Sequence, residues 1–150
     1  VCAFLLDSRS FLEIIADLVH LHPAVVRMVI QLAGFDRVLL VSDSIAAADM
    51  PDGEYELGGL KVVVRNGIAR LASTGSLAGS TLTLDRAFRN VVSLGFSPLE
   101  ASIMASTTPA RSIGVYGYVG AIERGFRADI VVLDKELRVR NVFVEGLRFV

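Results

Sequence analysis

The run Val38-Leu39-Leu40-Val41 constrains this chain most: four apolar residues without polar alternation, set just behind a helix with both ends marked. A strand with one face in water alternates apolar and polar residues. An unbroken apolar run bounded by turn formers reads instead as buried on both faces, as in a parallel sheet covered by helices. Upstream, Pro23 stands where a helix takes its first residue. Val25, Val26, Val29, Ile30 and Leu32 recur at helical spacing, and Gly34 is placed to terminate the helix. Residues 11–20 are ambiguous: apolar positions 11, 12, 14, 15, 18 and 19 fit a helix, and equally a short buried strand ending at His20. With the second reading, strand, helix and strand follow through short connections, which is a βαβ unit of a parallel sheet.

The texture then changes. Asp49-Met50-Pro51-Asp52-Gly53 is a turn cluster, and Tyr55–Leu57, Leu60–Val64 and Ile68–Leu71 read as short strands. Asn66-Gly67 is the strongest hairpin signal, because a type I′ turn needs positive φ at both central residues. Helical spacing returns after Gly75, with Leu84, Ala87, Phe88 and Val91 on one face and Gly95 as terminator. Ser97-Pro98-Leu99-Glu100 is a capping box that opens a helix through about Ser106, and Thr108-Pro109 is expected to restart a short helix ending near Gly114. From Gly117 the chain is β again: Ile130–Leu133 reads as a buried strand, and Arg138–Gly146 as another with its turn at Glu145-Gly146. No repeat, low-complexity segment or flexible linker interrupts the chain.

A length of 150 residues suggests one domain with a real core. With 53% hydrophobic residues, intrinsic disorder is excluded. The balance of 15 Lys+Arg against 16 Asp+Glu excludes a nucleic-acid binder driven by bulk positive charge. No stretch reaches the roughly 18 apolar residues of a membrane span; the longest candidate, Leu18–Gly34, is broken by His20, His22, Pro23, Arg27 and Gln31. The apolar surplus is expected to be covered by a partner or by further chain. Cys2 stands alone, so neither an internal disulfide nor a cysteine-based metal site is expected. The apolar residues 1–6 lack a basic flank, which makes a cytoplasmic setting the expectation, and the initial Val points to a piece of something longer.

Few residues can carry chemistry. His20 and His22, two apart, would share a face on a strand and could pair on a metal; the plainer reading makes His22 a solvent-facing part of the helix entry before Pro23. Asp43 follows the buried strand and has small neighbours, the position in which α/β barrels carry catalytic groups, although a loop or helix-capping aspartate would look the same. Ser76-Leu77-Ala78-Gly79-Ser80 is a small-residue loop entering the helix expected over Leu82–Leu94, with Ser80 or Thr81 as candidate caps. Asp129, before a strand, reads as structural. No Ser-His-Asp set, phosphate-binding loop or dinucleotide fingerprint is present.

Taken in order, Ile15-Ala16-Asp17-Leu18-Val19-His20, Leu40-Val41-Ser42-Asp43, Leu77-Ala78-Gly79-Ser80, Asn90-Val91-Val92, Met104–Arg111 and Gly120–Gly125 with Ala128–Val132 resemble the C-terminal part of the N-acetylglucosamine-6-phosphate deacetylase family. The last motif is shared across the amidohydrolase superfamily; the ordered set is more specific, and it covers the chain from about residue 10 to 150. The resemblance implies an α/β fold: the C-terminal portion of a (β/α)8 TIM-like barrel over residues 1–115, with a β-hairpin insertion at about 54–72. The strands of a small β-sandwich domain would occupy residues 116–150. It implies hydrolysis of the acetamide of N-acetylglucosamine 6-phosphate to glucosamine 6-phosphate and acetate. Asp43 would pass the proton of a metal-activated water to the departing amine. By the same resemblance His20, with Val19, contacts the substrate at its sugar-phosphate end, and the backbone of Ser76, Leu77 and Ala78 lines it.

The family pattern has Gly where this chain has Leu18, adding bulk beside the pocket, and Thr where it has Ser42. The cofactor implied is a divalent metal, zinc or similar. Its ligands, a Glu and two His, belong upstream of this region, as does the arginine that grips phosphate; His22 matches neither metal histidine. The expected partners are the small-molecule amino-sugar phosphate and either a homo-oligomer or the missing N-terminal part of the barrel, without nucleic acid or membrane. Two other readings compete. One is a non-catalytic fragment or interaction module; the other is another amidohydrolase, dihydroorotase-like, against which the Leu-Ala-Gly-Ser loop and the Asp17–His20 segment argue. The isolated chain is expected to be inactive.

Overall fold

The computed structural model describes Asp7 and residues 9–150; Cys2 and the apolar residues 1–6 lie outside the described residues. Strands β1 (Leu12–Ile15) and β2 (Val38–Val41) pair in parallel, from Leu12 opposite Val38 to Ile15 opposite Val41. Helix α1 (Pro23–Ala33) makes the crossover between them. The ambiguity over residues 11–20 resolves as a strand of four residues followed by a turn, so His20 and His22 do not share a strand face. Helix α1 starts at Pro23, where a missing N–H is harmless, and ends at Gly34, whose φ of +85° no side-chain-bearing residue adopts easily.

Val38, Leu39 and Leu40 are all buried, as the unbroken apolar run requires. Val38 and Leu40 pack with Ile14 and Ala16, with Val26, Val29, Ile30 and Ala33 of α1, and with Leu82, Ala87, Val91, Ala101 and Met104 from the segments that follow. One core therefore joins the parallel pair to both of its helical covers.

Residues 53–71 form an antiparallel meander of β3 (Gly53–Leu57), β4 (Leu60–Arg65) and β5 (Ile68–Leu71). Asn66 and Gly67 at its second turn have φ of +51° and +69°, the double positive φ that a type I′ turn demands. This sheet has its own small core, in which Val62, Val64 and Ala69 meet Ile45, Ala47 and Ala78.

Helix α2 (Leu84–Ser93) begins two residues later than expected, with Thr83 at its N-cap. Neither Ser80 nor Thr81 caps it: the Ser80 hydroxyl donates to Ser42 O and accepts from Leu82 N at 3.0 Å ahead of the helix, and the Thr81 hydroxyl donates to Gly67 O. The capping box is present: the Ser97 hydroxyl accepts from Glu100 N at 3.2 Å, and the Glu100 carboxylate accepts from Ser97 N at 2.7 Å. It opens α3 (Pro98–Ser102). The expected break before Thr108 does not occur: a π-helical turn (Ile103–Thr107) carries the chain directly into α4 (Thr108–Ser112). Pro109 lacks an N–H and its ring clashes with the carbonyl four residues back, and widening the preceding turn relieves both conflicts without ending the helix.

The tail forms a second antiparallel sheet of β6 (Ile130–Leu133), β7 (Val139–Val144) and β8 (Leu147–Arg148). Asp129 is structural there, accepting from Glu145 N at 2.8 Å and from the Arg127 guanidinium at 2.6 Å. Ile130–Leu133 is not buried as expected. Val131 is 57% and Val132 40% exposed; being consecutive, they lie on opposite faces of the strand, so neither face is fully covered by the described residues. No helix among the described residues is long and apolar enough to cross a membrane.

Candidate active site

Parallel pairing sets the geometry of the site. Ile15 lies opposite Val41, so the segments leaving β1 and β2 emerge at the same carboxyl end of the pair. One carries Asp17, Leu18, Val19 and His20; the other carries Ser42 and Asp43. Each places a non-glycine residue in left-handed backbone, Leu18 at φ +66° and Asp43 at φ +50°. Such conformations persist only where the surroundings impose them, and they concentrate at functional sites. For Leu18 this accounts for a glycine being the easier residue at that point: the backbone has the conformation that a Cβ disfavours.

Asp43 is exposed, and its carboxylate has no hydrogen-bond partner among the described residues. Its backbone is tightly held. The Asp43 carbonyl accepts from Ser80 N at 2.8 Å, Ile45 N donates to Ser80 O at 3.0 Å, and the Ser80 hydroxyl donates to Ser42 O. These bonds lay the 77–82 segment alongside the end of β2. Gly79 makes the approach possible: a Cβ there would stand 2.6 Å from Ile45 Cγ2 and 3.0 Å from Asp43 O.

The loop residues divide. Ser76 is exposed and bonded to Leu71 N and to Thr74, toward the end of β5. Leu71 N to Ser76 O and Ala78 N to Ala69 O bracket the pair Arg70–Leu77. The Leu77 N–H and carbonyl therefore point away from β5, while the Ala78 N–H is spent on the sheet and its side chain is buried.

Val19 is exposed, whereas the side chain of His20 is only 20% exposed and is held by a neighbour that the sequence reading named without a role. Asp17, its side chain 7% exposed, accepts from Val19 N and His20 N at 2.9 Å each through one oxygen, and its other oxygen lies 2.7 Å from His20 Nδ1. Burial pushes the Asp17 carboxyl up, but the backbone N–H groups of His20 and Val19, with the His20 ring, outweigh it and hold it below the ordinary 3.8. Asn90 of α2 fastens the same turn by donating to Ala16 O at 2.8 Å. An aspartate two and three residues before backbone donors is a turn signature, and that spacing was the available signal.

His22 is the exposed N-cap of α1: its Nδ1 accepts from Ala24 N at 3.2 Å. The two histidines thus have separate local tasks. Among the described residues no group of three or more His, Cys, Asp or Glu could hold a metal ion. Two open clefts, of about 510 and 490 Å³, lie elsewhere, around Asp85 and Arg89, and neither reaches Asp43 or His20.

The model of the amidohydrolase family matches residues 3–148. A provisionally named N-acetylgalactosamine-6-phosphate deacetylase of Escherichia coli (strain K12) is 46% identical over 147 residues, covering 97% of this chain and 87% of its own length. The N-acetylgalactosamine-6-phosphate deacetylase of Escherichia coli O157:H7 is also 46% identical over 147 residues, but these are only 38% of that protein. Among solved structures, the N-acetyl-D-glucosamine-6-phosphate deacetylase of Mycobacterium smegmatis, a variant in complex with N-acetyl-D-glucosamine-6-phosphate, superposes with a TM-score of 0.92 at 38% identity, over 97% of this chain and 39% of its own. The chain therefore belongs to the amidohydrolase family, on the branch of the amino-sugar 6-phosphate deacetylases. It spans well under half the length of most of these relatives.

Proposed function

We propose that the chain supplies the acid–base and substrate-contacting strand ends of a deacetylase that converts an N-acetylhexosamine 6-phosphate, N-acetylglucosamine 6-phosphate in the first instance, to the free amine and acetate. On this reading residues 1–115 are the C-terminal part of a (β/α)8 barrel carrying the meander as an insertion. Residues 116–150 contribute strands to a small β-sandwich. The open edge of β1 and the incompletely covered faces of β6 would be closed by the rest of the barrel and sandwich or by another copy of the chain. The observation that carries the proposal is the unpartnered Asp43 carboxylate at the carboxyl end of β2, level with the turn that presents His20 from β1.

In the reaction a water oxygen adds to the acetamide carbonyl carbon and the C–N bond then breaks. Asp43 takes one proton of the attacking water and returns it to the departing nitrogen, so that a neutral amine and acetic acid form, and the acid releases the second water proton to solvent to become acetate. The amidohydrolase family generally uses a divalent metal to polarise such a carbonyl and acidify water. Among the described residues no group of three or more His, Cys, Asp or Glu gathers, so they do not by themselves make a metal site. The roles left to this chain are proton transfer by Asp43, contact by Val19 and His20 with the phosphorylated sugar, and lining by the backbone of Ser76, Leu77 and Ala78. The Leu77 N–H is the free donor of those three.

Replacing the matched segment of the Escherichia coli O157:H7 relative by this chain tests the proposal. The hybrid is expected to release acetate from N-acetylglucosamine 6-phosphate or its galacto isomer, and Asp43→Asn to lower kcat by about 100- to 10,000-fold. A folded hybrid that releases acetate from neither substrate overturns the proposed function. An Asp43→Asn hybrid with undiminished kcat overturns the role of Asp43.

A further inference from the structure

His20 can meet a ligand through either ring nitrogen, and the two are not equivalent. A neutral imidazole carries one donor and one acceptor, and the environment decides which nitrogen has the proton. Asp17 settles the choice. An ionised carboxylate only accepts hydrogen bonds, and its second oxygen lies 2.7 Å from His20 Nδ1. Nδ1 must therefore hold the proton. Nε2 has no partner among the described residues. The carboxylate cannot swing away, because its other oxygen is fixed by Val19 N and His20 N at 2.9 Å each, inside a turn latched by Asn90.

We propose that Asp17 is a positioning residue, which locks His20 as the Nδ1–H form and turns a bare Nε2 toward the ligand at the strand ends. That Nε2 is the contacting atom rests on the deacetylase reading above; the locked tautomer does not. His22, two residues along, is held the opposite way. Its Nδ1 accepts a backbone N–H, so in its neutral form the proton sits on Nε2. The two histidines of the chain are then opposite tautomers, each the internal reference for the other.

Long-range 1H–15N correlation spectra of the 15N-labelled chain, recorded where both rings are neutral, separate the two forms directly. The expected result is a protonated Nδ1 for His20 and a protonated Nε2 for His22. Asp17→Asn keeps an oxygen for the two backbone donors but sets an NH2 group against Nδ1. His20 is then expected to switch to the Nε2–H form, with His22 unchanged. A wild-type His20 carrying its proton on Nε2 overturns the proposal without any variant, and so does an unchanged His20 tautomer in Asp17→Asn. The spectra need no turnover, so a failed tautomer assignment and a failed deacetylase reading are told apart by whether the spectra or the acetate assay gives the contrary result.

Discussion

Gly79→Ala examines the contact that brings the small-residue loop against Asp43. Gly79 sits at φ +62°, and an added Cβ would meet Ile45 Cγ2 at 2.6 Å and Asp43 O at 3.0 Å. The first atom belongs to a β-branched side chain only 9% exposed, and the second is a backbone carbonyl already accepting from Ser80 N. Neither can retreat cheaply. Left-handed backbone costs a residue with a Cβ about 1–2 kcal/mol, and forcing a methyl into packed surroundings costs about 1–3 kcal/mol more. Gly75→Ala is the control: φ is +73°, but nothing lies within 4 Å of its Cβ, so only the backbone cost applies. In urea, with a slope of about 2 kcal/mol/M, Gly79→Ala is expected to lower the midpoint by roughly 1–2.5 M and Gly75→Ala by roughly 0.5–1 M. Equal midpoints for the two variants would refute the claim that close approach, rather than backbone conformation alone, requires glycine at 79.

Other consequences can be checked on the same chain. Ser97→Ala removes half of the capping box and is expected to cost about 1 kcal/mol by urea denaturation. Thr108→Val keeps the shape of a fully buried side chain but removes its hydroxyl bond to Phe35 O at 2.9 Å; a loss of about 1 kcal/mol is expected, and no loss would show that this link between α4 and the end of α1 is idle. Asp17 titrates below its ordinary 3.8 in the folded chain, so its stabilisation is present above that pH and is lost as pH falls through the lowered value. Asp17→Asn is accordingly expected to flatten the acid side of the stability–pH curve near and below pH 4, measured by thermal unfolding against pH.

Much of the architecture was legible because local chemistry and long-range packing agree. Pro23, Gly34, Asn66-Gly67 and the Ser97–Glu100 box each specify a backbone conformation that the surrounding fold also wants. The apolar run carried its own burial on both faces over residues 38–40. Where sequence reasoning went astray, a competing interaction had won. Ser80 and Thr81 look like helix caps, yet carbonyls from distant segments, Ser42 and Gly67, claim their hydroxyls. Pro109 signals a break, yet a widened π turn absorbs it. The strand at 130–133 has the composition of a core strand, but burial depends on neighbours, and the described residues fully cover neither of its faces.

By itself, the sequence determined most of the strands and helices, though not whether residues 11–20 hold a strand or a helix, and it marked Asp43 and His20 as the residues worth watching. It could not decide that the segments bearing them leave the same end of the strand pair. That follows from the register Ile15 opposite Val41, a relation between residues 26 positions apart. Nor could it assign Asp17, whose role depends on a side chain folding back onto its own turn while Asn90 holds that turn from another helix. Spacing limits which groups can meet along the chain; only packing between elements selects which of them do.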